Sequence, residues 1–249
     1  MIPDTQCRPD VDTAHIDWAA QAIVDYLPDT VIHLGDHWDM KSLSSYEKPG
    51  SIHMEGARYE DDIAVGNDAF ARLVAPMEKE ITRRLKNKTK VWRPKRVFLF
   101  GNHENRIYRA LCSEPKYAGM IGDHHCVTPG FERFPFLEVV TIDGIKYSHY
   151  FSNVNSGKSI GGSIDNRLNK IGESFVQGHE QGFLYGCRQF PTGKTRHGLV
   201  CGSFYLHDEE YKGRQGNGHW RGIIVLNEVH DGGYDIMPLS MEYLRKKYG

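Results

Sequence analysis

Five short runs in this chain, most of them apolar, stop abruptly in polar phrases built from Asp, Asn, His, Glu, Gln and Gly. Ile2-Pro3 gives way to Asp4-Thr5-Gln6, and Thr30-Val31-Ile32-His33-Leu34 to Gly35-Asp36-His37-Trp38-Asp39. Arg96-Val97-Phe98-Leu99-Phe100 gives way to Gly101-Asn102-His103-Glu104. Later, Ile145 to Ser148 leads into His149-Tyr150, and Ser174 to Gln177 into Gly178-His179-Glu180-Gln181. A short apolar run closed by glycine reads as a buried strand that turns sharply at its end. In an open α/β sheet, ligands bind beyond the carboxyl ends of the strands. The five phrases are therefore expected to meet at one edge.

Between the runs the spacing changes from two to between three and four. Ile16, Ala20, Ile23 and Leu27 predict a helix over 13–27, with Asp12 or Thr13 as its cap. Ile63, Phe70, Leu73, Val74, Met77, Ile81 and Leu85 predict a second, amphipathic helix over 59–86, kinked or divided at Pro76. Strand, helix, strand in this order predicts a largely parallel sheet with crossover helices. In the second half, Asp143-Gly144 between two apolar runs predicts a hairpin. A helix is expected over 164–171, and strands over 196–201, 220–227 and 234–238. The fold class expected is α/β, two sheets of mixed direction with helices outside.

Composition narrows the function classes. At 249 residues the chain suits a single domain, with 41–90 as a possible lid loop and helical insertion. Lys and Arg number 31 against 32 Asp and Glu, so no global attraction to nucleic acid is expected. Eight basic residues lie between Arg83 and Arg96, but they end a helix and precede a strand, which places them away from the strands' carboxyl ends as a solvated face. Five cysteines without a C-x-x-C pair argue against a disulfide framework or thiolate zinc site and for a reducing compartment such as the cytoplasm. No apolar stretch approaches the roughly 18 residues of a membrane span, and the first residues lack the pattern of a secretory leader.

Carboxylate, amide and imidazole groups at one edge suit divalent metals, and a carboxylate can bridge two ions. The ordered set Asp-x-Gln, Gly-Asp-x-x-Asp, Gly-Asn-His-Glu, His, Gly-His-x-Gln resembles the calcineurin-like metallophosphoesterase family. That family's pattern is Asp-x-His, Gly-Asp, Gly-Asn-His-Asp/Glu, His, Gly-His-x-His. The phrase Gly101-Asn102-His103-Glu104-Asn105-Arg106 and the late Trp220-Arg221-Gly222 are similar to members often encoded by bacteriophages, for which the compartment would be the host cytoplasm.

The resemblance implies a four-layer α/β/β/α sandwich and two divalent metal ions, with Mn favoured and Mg, Zn or Fe as alternatives. Asp36 would bridge them. Asn102, His149 and His179 would complete one site; Asp4, Gln6 and Gln181 would form the other. His103 would bind no metal and would act on the leaving-group oxygen as general acid or hydrogen-bond donor. The departures are Gln6 and Gln181, each standing where the family has His. A glutamine offers only a neutral amide oxygen, so this site becomes an all-oxygen set, expected to favour Mn or Mg and to fill less readily.

Around this set, Asp39 is expected either to orient a metal ligand or to cap a turn, and His37 either to touch substrate or to stabilise the same turn. Arg106 either clamps a phosphate or pairs with Glu104 or Asp39. The loop from Lys41 to Gly56, with Tyr46 and His53, would cover the site. The activity implied is phosphodiester hydrolysis on nucleic acid or a small nucleotide by a metal-activated hydroxide. A phosphomonoesterase and a metal-depleted interaction module are the alternatives.

Overall fold

The structure is a computed structural model and describes residues 1–45, 51, 54–209 and 212–249. Its elements run α1 (His15–Tyr26), β1 (Thr30–His33), α2 (Tyr59–Lys86), β2 (Lys95–Leu99), α3 (Asn105–Ser113), β3 (Glu132–Phe134), β4 (Val140–Ile142) and β5 (Ile145–Ser148). Then follow α4 (Ile164–Ile171), β6 (Phe175–Gln177), β7 (Phe183–Gln189), β8 (Thr195–Cys201), α5 (Gly213–Asn217), β9 (Gly222–His230), β10 (Gly233–Ser240) and α6 (Met241–Tyr248). Tyr46 and His53, the expected covering residues, lie outside the described residues.

β1, β2 and β3 form a parallel sheet in that order. The opening residues extend it: Ile2 donates to Ile32 O at 2.9 Å and accepts from Leu34 N–H at 2.9 Å. Met1 in turn exchanges hydrogen bonds with Ile224, linking the β9–β10 hairpin to the same edge. The second sheet has the order β4-β5-β6-β8-β7, with β5, β6 and β8 parallel and both edge strands antiparallel. The architecture is mixed α/β, with helices and sheets of mixed direction.

Alternation along the strands assigns each face its neighbour, because successive side chains point to opposite sides. Ile32 and Leu34, with Val97 and Leu99, pack against Ile145, Tyr147, Val176 and Leu199 of the second sheet. Val31, Phe98 and Phe100 instead join Ile16 and Ile23 of α1 and Phe70, Leu73 and Met77 of α2. Phe175 points away from the first sheet and packs on Leu168 of α4. Two apolar clusters and one small satellite thus hold the strand ends in register.

Most expected elements form where the spacing placed them. Asp12 accepts from Ala14 N–H at 2.9 Å, just before α1. Asp143 (φ 49°) and Gly144 (φ 80°) make the tight turn between β4 and β5. α2, by contrast, is one continuous 28-residue helix that passes through Pro76 undivided. Leu73, Val74 and Met77 around that turn are buried, and this packing offsets the missing N–H. Acidic Glu60, Asp61 and Asp62 open α2 and basic Arg83, Arg84 and Lys86 close it, as the helix dipole favours. Arg83 and Arg84 bond Glu80, and Arg96 pairs with Glu78, which occupies part of the basic run in local ion pairs.

Five elements had no clear sequence signal: β3, β7, α3, α5 and α6. β7 is an edge strand with most residues exposed, so no burial alternation marks it. Among the described residues no helix is long and apolar enough to cross a membrane.

Candidate metal centre

The parallel strands deliver Asp36 and Asn102 side by side, and a single carboxylate fastens their loops. Glu104 accepts from the N–H groups of Gly101 at 2.7 Å, Asp36 at 3.0 Å, His37 at 2.6 Å and Trp38 at 3.1 Å. Four donors on one buried carboxylate make a rigid clip between the ends of β1 and β2. Gly101 permits the approach: a Cβ there would lie 2.1 Å from Asp36 Oδ1. Glu104 thus serves backbone amides and not Arg106, the partner its sequence position suggests.

Asp36, His149 and His179 form a group whose ligand atoms all lie within 4.8 Å of one another. Asn102 joins them, its Oδ1 2.9 Å from His149 Nε2 and 2.7 Å from His179 Nδ1. The tautomer of His149 follows from its neighbours. Nδ1 lies 2.6 Å from Leu34 O, which can only accept, so Nδ1 carries the proton. In the neutral ring Nε2 then presents a lone pair to Asn102 Oδ1 and, at 3.4 Å, to Asp36 Oδ2. Electron pairs facing electron pairs call for a cation between them, either a proton or a metal ion. Burial alone would lower the His149 pKa, but Asp36 outweighs it and raises it to about 9. His149 and His103 conversely hold the Asp36 carboxyl well below its usual range despite burial. His179 is lowered to about 4 by burial and then by His149.

The residues expected at the other site, Asp4, Gln6 and Gln181, each carry a buried side-chain oxygen without a hydrogen-bond partner. Asp4 Oδ1 accepts from His179 N–H at 3.0 Å. Asp4 Oδ2, Gln6 Oε1 and Gln181 Oε1 are buried and make no hydrogen bond. Each such atom costs roughly 1–3 kcal/mol if left unpaired. Their segments are tied to the cluster: Gln6 N–H donates to Asp36 O at 2.9 Å, and Gln181 follows His179 by two positions. Burial first, then the Asp36 charge, raises the Asp4 pKa to about 7. By donor chemistry, hard oxygens of this kind suit Mn or Mg rather than a thiolate- or imidazole-seeking ion. Gln6 (φ 40°), Asp36 (φ 51°) and His179 (φ 66°) all hold left-handed backbone, which disfavours side chains with a Cβ and concentrates at functional sites.

His103 stands beside this group. Its Nε2 is 3.7 Å from Asp36 Oδ2, and its Nδ1 lies 2.8 Å from Asp39 Oδ1. Burial opposes protonation, but Asp36 and Asp39 outweigh it together and raise the His103 pKa. Asp39 is therefore an ionic partner of His103, without hydrogen-bond alignment at Nδ1; it contacts none of the expected metal ligands, contrary to one of its two expected roles. Arg106 donates to the carbonyls of Asp39 at 2.7 Å and Met40 at 3.2 Å, and its other terminal nitrogen lies 3.1 Å from His103 Nε2. Of its two expected ionic partners Arg106 approaches Asp39, at 3.9 Å, and not Glu104.

His37 is a correction. It is fully buried, with a pKa lowered to about 4 by burial, and faces the helices rather than a substrate. A directional chain fixes it. Gly35 N–H donates to His33 Nδ1 at 3.2 Å, leaving His33 Nε2–H to donate to Thr5 Oγ1 at 3.2 Å. The Thr5 hydroxyl then donates to His37 Nδ1 at 2.7 Å, and His37 Nε2–H to Gly66 O at 2.9 Å. Gly66 belongs to α2, where a Cβ would lie 1.9 Å from Trp38 Cδ1. Thr5, between two expected ligands, thus has a structural role that sequence patterns did not signal. Two loops, one helix and the opening segment are locked together beneath the metal group. Against known proteins the chain matches no family model and no curated sequence.

Proposed function

We propose that this protein is a metal-dependent phosphoesterase acting on phosphodiesters of nucleic acid or small nucleotides. The observation that carries the reading is the position of His103: next to a metal-ligand group, outside it, and ion-paired with its own carboxylate. A plain metal-storage or structural site has no use for such a histidine. The apolar cluster between the two sheets, with helices beyond each, also suits the four-layer calcineurin-like sandwich that the sequence motifs imply.

Asp36, Asn102, His149 and His179 would hold one cation, and Asp4, Gln6 and Gln181, with Asp36 shared, the other. Such cations, when bound, supply Lewis acidity toward phosphoryl oxygens and an activated water. The chain's own residues do the rest. The Glu104 clip and the Thr5–His37 chain keep the ligands preorganised, so little reorganisation accompanies charge development. His103, ion-paired at Nδ1 with Asp39, would act on the departing oxygen through Nε2, as general acid when protonated. Arg106 holds the Asp39 backbone in place, while its charge beside Nε2 opposes protonation of the ring and keeps it from being held too tightly protonated by Asp36 and Asp39. The preference for diesters rests on the phage-type phrase from Gly101 to Arg106.

Hydrolysis of bis-p-nitrophenyl phosphate and p-nitrophenyl phosphate with added Mn tests the proposal. Faster diester turnover is expected. A monoester preference would make the protein a phosphatase, and no turnover of either would leave a non-catalytic module.

A further inference from the structure

α4 carries a charge that its sequence presents as one more solvated arginine, yet Arg167 is only 1% exposed. Every nitrogen of its guanidinium donates. Nε donates to Gly162 O at 2.9 Å, and Nη1 to Ile160 O at 2.8 Å. Nη1 and Nη2 also grip the two carboxylate oxygens of Glu180, each at 2.7 Å. Glu180 stands between His179 and Gln181, the residues expected to serve the two cation sites. Ile160 N–H donates to Phe151 O at 2.8 Å, so the same guanidinium also braces the segment leaving β5 just after His149.

The loop so held is not one that would keep its shape unaided. His179 has φ 66°, and the Glu180 N–H turns back to Gly178 O at 2.7 Å. A tight turn through a left-handed histidine tends to relax unless its surroundings over-determine it. A buried ion pair adds little net stability, since desolvation offsets the attraction, but a two-pronged Arg–carboxylate contact fixes direction.

We infer that the Arg167–Glu180 pair is a positioning device that sets the aim of His179 and Gln181 and thereby the cation affinity of the centre. The inference rests on the metal-centre reading above. Lysine cannot replace the fork: a single ammonium cannot serve both carboxylate oxygens and two carbonyls in a plane.

The test is Mn titration of the metal-stripped full chain, following free Mn by electron paramagnetic resonance, with thermal unfolding of each variant alongside. Glu180→Gln and Arg167→Lys are expected to weaken Mn binding roughly 10–100-fold, the usual effect of losing a partner behind a ligand. Leu168→Ala, on the same helix and equally buried, is expected to lower the melting temperature while leaving Mn affinity unchanged. Wild-type affinity in both E180Q and R167K, with His179→Ala defective, would overturn the positioning role alone. Equal loss in L168A would overturn it too, since general loosening of α4 would then suffice. If wild type binds no Mn, or H179A binds as well as wild type, the metal-centre reading itself falls.

Discussion

His103 Nδ1 lies 2.8 Å from Asp39 Oδ1, with the two residues on loops that leave different strands. The contact occupies Nδ1 and leaves Nε2, which Arg106 approaches at 3.1 Å, as the nitrogen that would face a substrate. His103→Ala should lower turnover by about 10²–10⁴-fold, while bound Mn per chain stays unchanged. Asp39→Asn should lower turnover with metal content equally intact, because the amide no longer stabilises the protonated ring. Metal analysis beside kinetics checks both, and a fall in metal content in H103A would make His103 a ligand instead.

The two cation sites should fill unequally. In the proposed centre one would have two imidazoles, Asn102 and the Asp36 carboxylate; the other would offer Asp4, two neutral amide oxygens and a share of Asp36. Calorimetric titration with Mn should show two steps, and Gln6→His or Gln181→His should tighten the weaker one. Two equal, tight sites in the wild type would contradict the oxygen-donor argument.

Metal binding should release protons. Without metal, His149 Nε2 is pushed to about 9 by Asp36 despite its burial, and Asp4 to about 7 by burial. A cation must displace those protons, so affinity should climb as pH rises from 6 toward 9 and level off above it. Titrations in buffers of different ionisation enthalpy at pH 7 count the protons released. None released at that pH would remove the argument that Nε2 is the ligand atom.

Glu104→Gln should be costly out of proportion to its size. The carboxylate serves four backbone donors, and an amide can accept with only one of its two ends. A loss of about 3 kcal/mol is expected from two or more donors left without partners, read from urea unfolding. Bound Mn should fall as well, because Asp36 and Asn102 lose their common clip.

The protein should weaken in acid before its surface carboxylates titrate. Burial lowers the pKa of His15 to about 3 and of His37 to about 4, and holds His33 well below 6.5. The unfolded chain takes up these protons near pH 6.5, the folded chain does not. Their stabilisation is therefore complete above about 6.5 and is lost as pH falls toward 4, at about 1.4 kcal/mol per pH unit for each. His179 adds to this, and the raised groups of His149, His103, Asp4 and Glu104 oppose it in part. The urea midpoint of metal-free protein should be lower at pH 5 than at pH 7.5. Equal midpoints would mean that the chain from His33 through Thr5 to His37 tolerates protonation.

α1, α2 and the buried strands were legible because their burial is periodic along the chain. The metal group was legible too, since each member follows a strand and carries the right donor. β7 was not, as an exposed edge strand has no alternation to read, and neither was α3, whose start coincides with the Gly-Asn-His-Glu phrase. His37 illustrates the limit of a motif. One position after Asp36, it resembles a site residue in every local respect, and its ring turns the other way into the α2 interface.

Residue type and order alone were enough to pick out Asp36, His149 and His179 and the strand ends that bear them. They could not establish what each donor faces. That Leu34 O selects the His149 tautomer, that Glu104 gathers the amides of two loops, and that Arg167 braces Glu180 depend on the folded contacts. Hydrogen bonds act over about 3 Å and only along particular directions. Residues 34 and 149, or 36 and 104, come within that range only after the apolar faces of both sheets have packed.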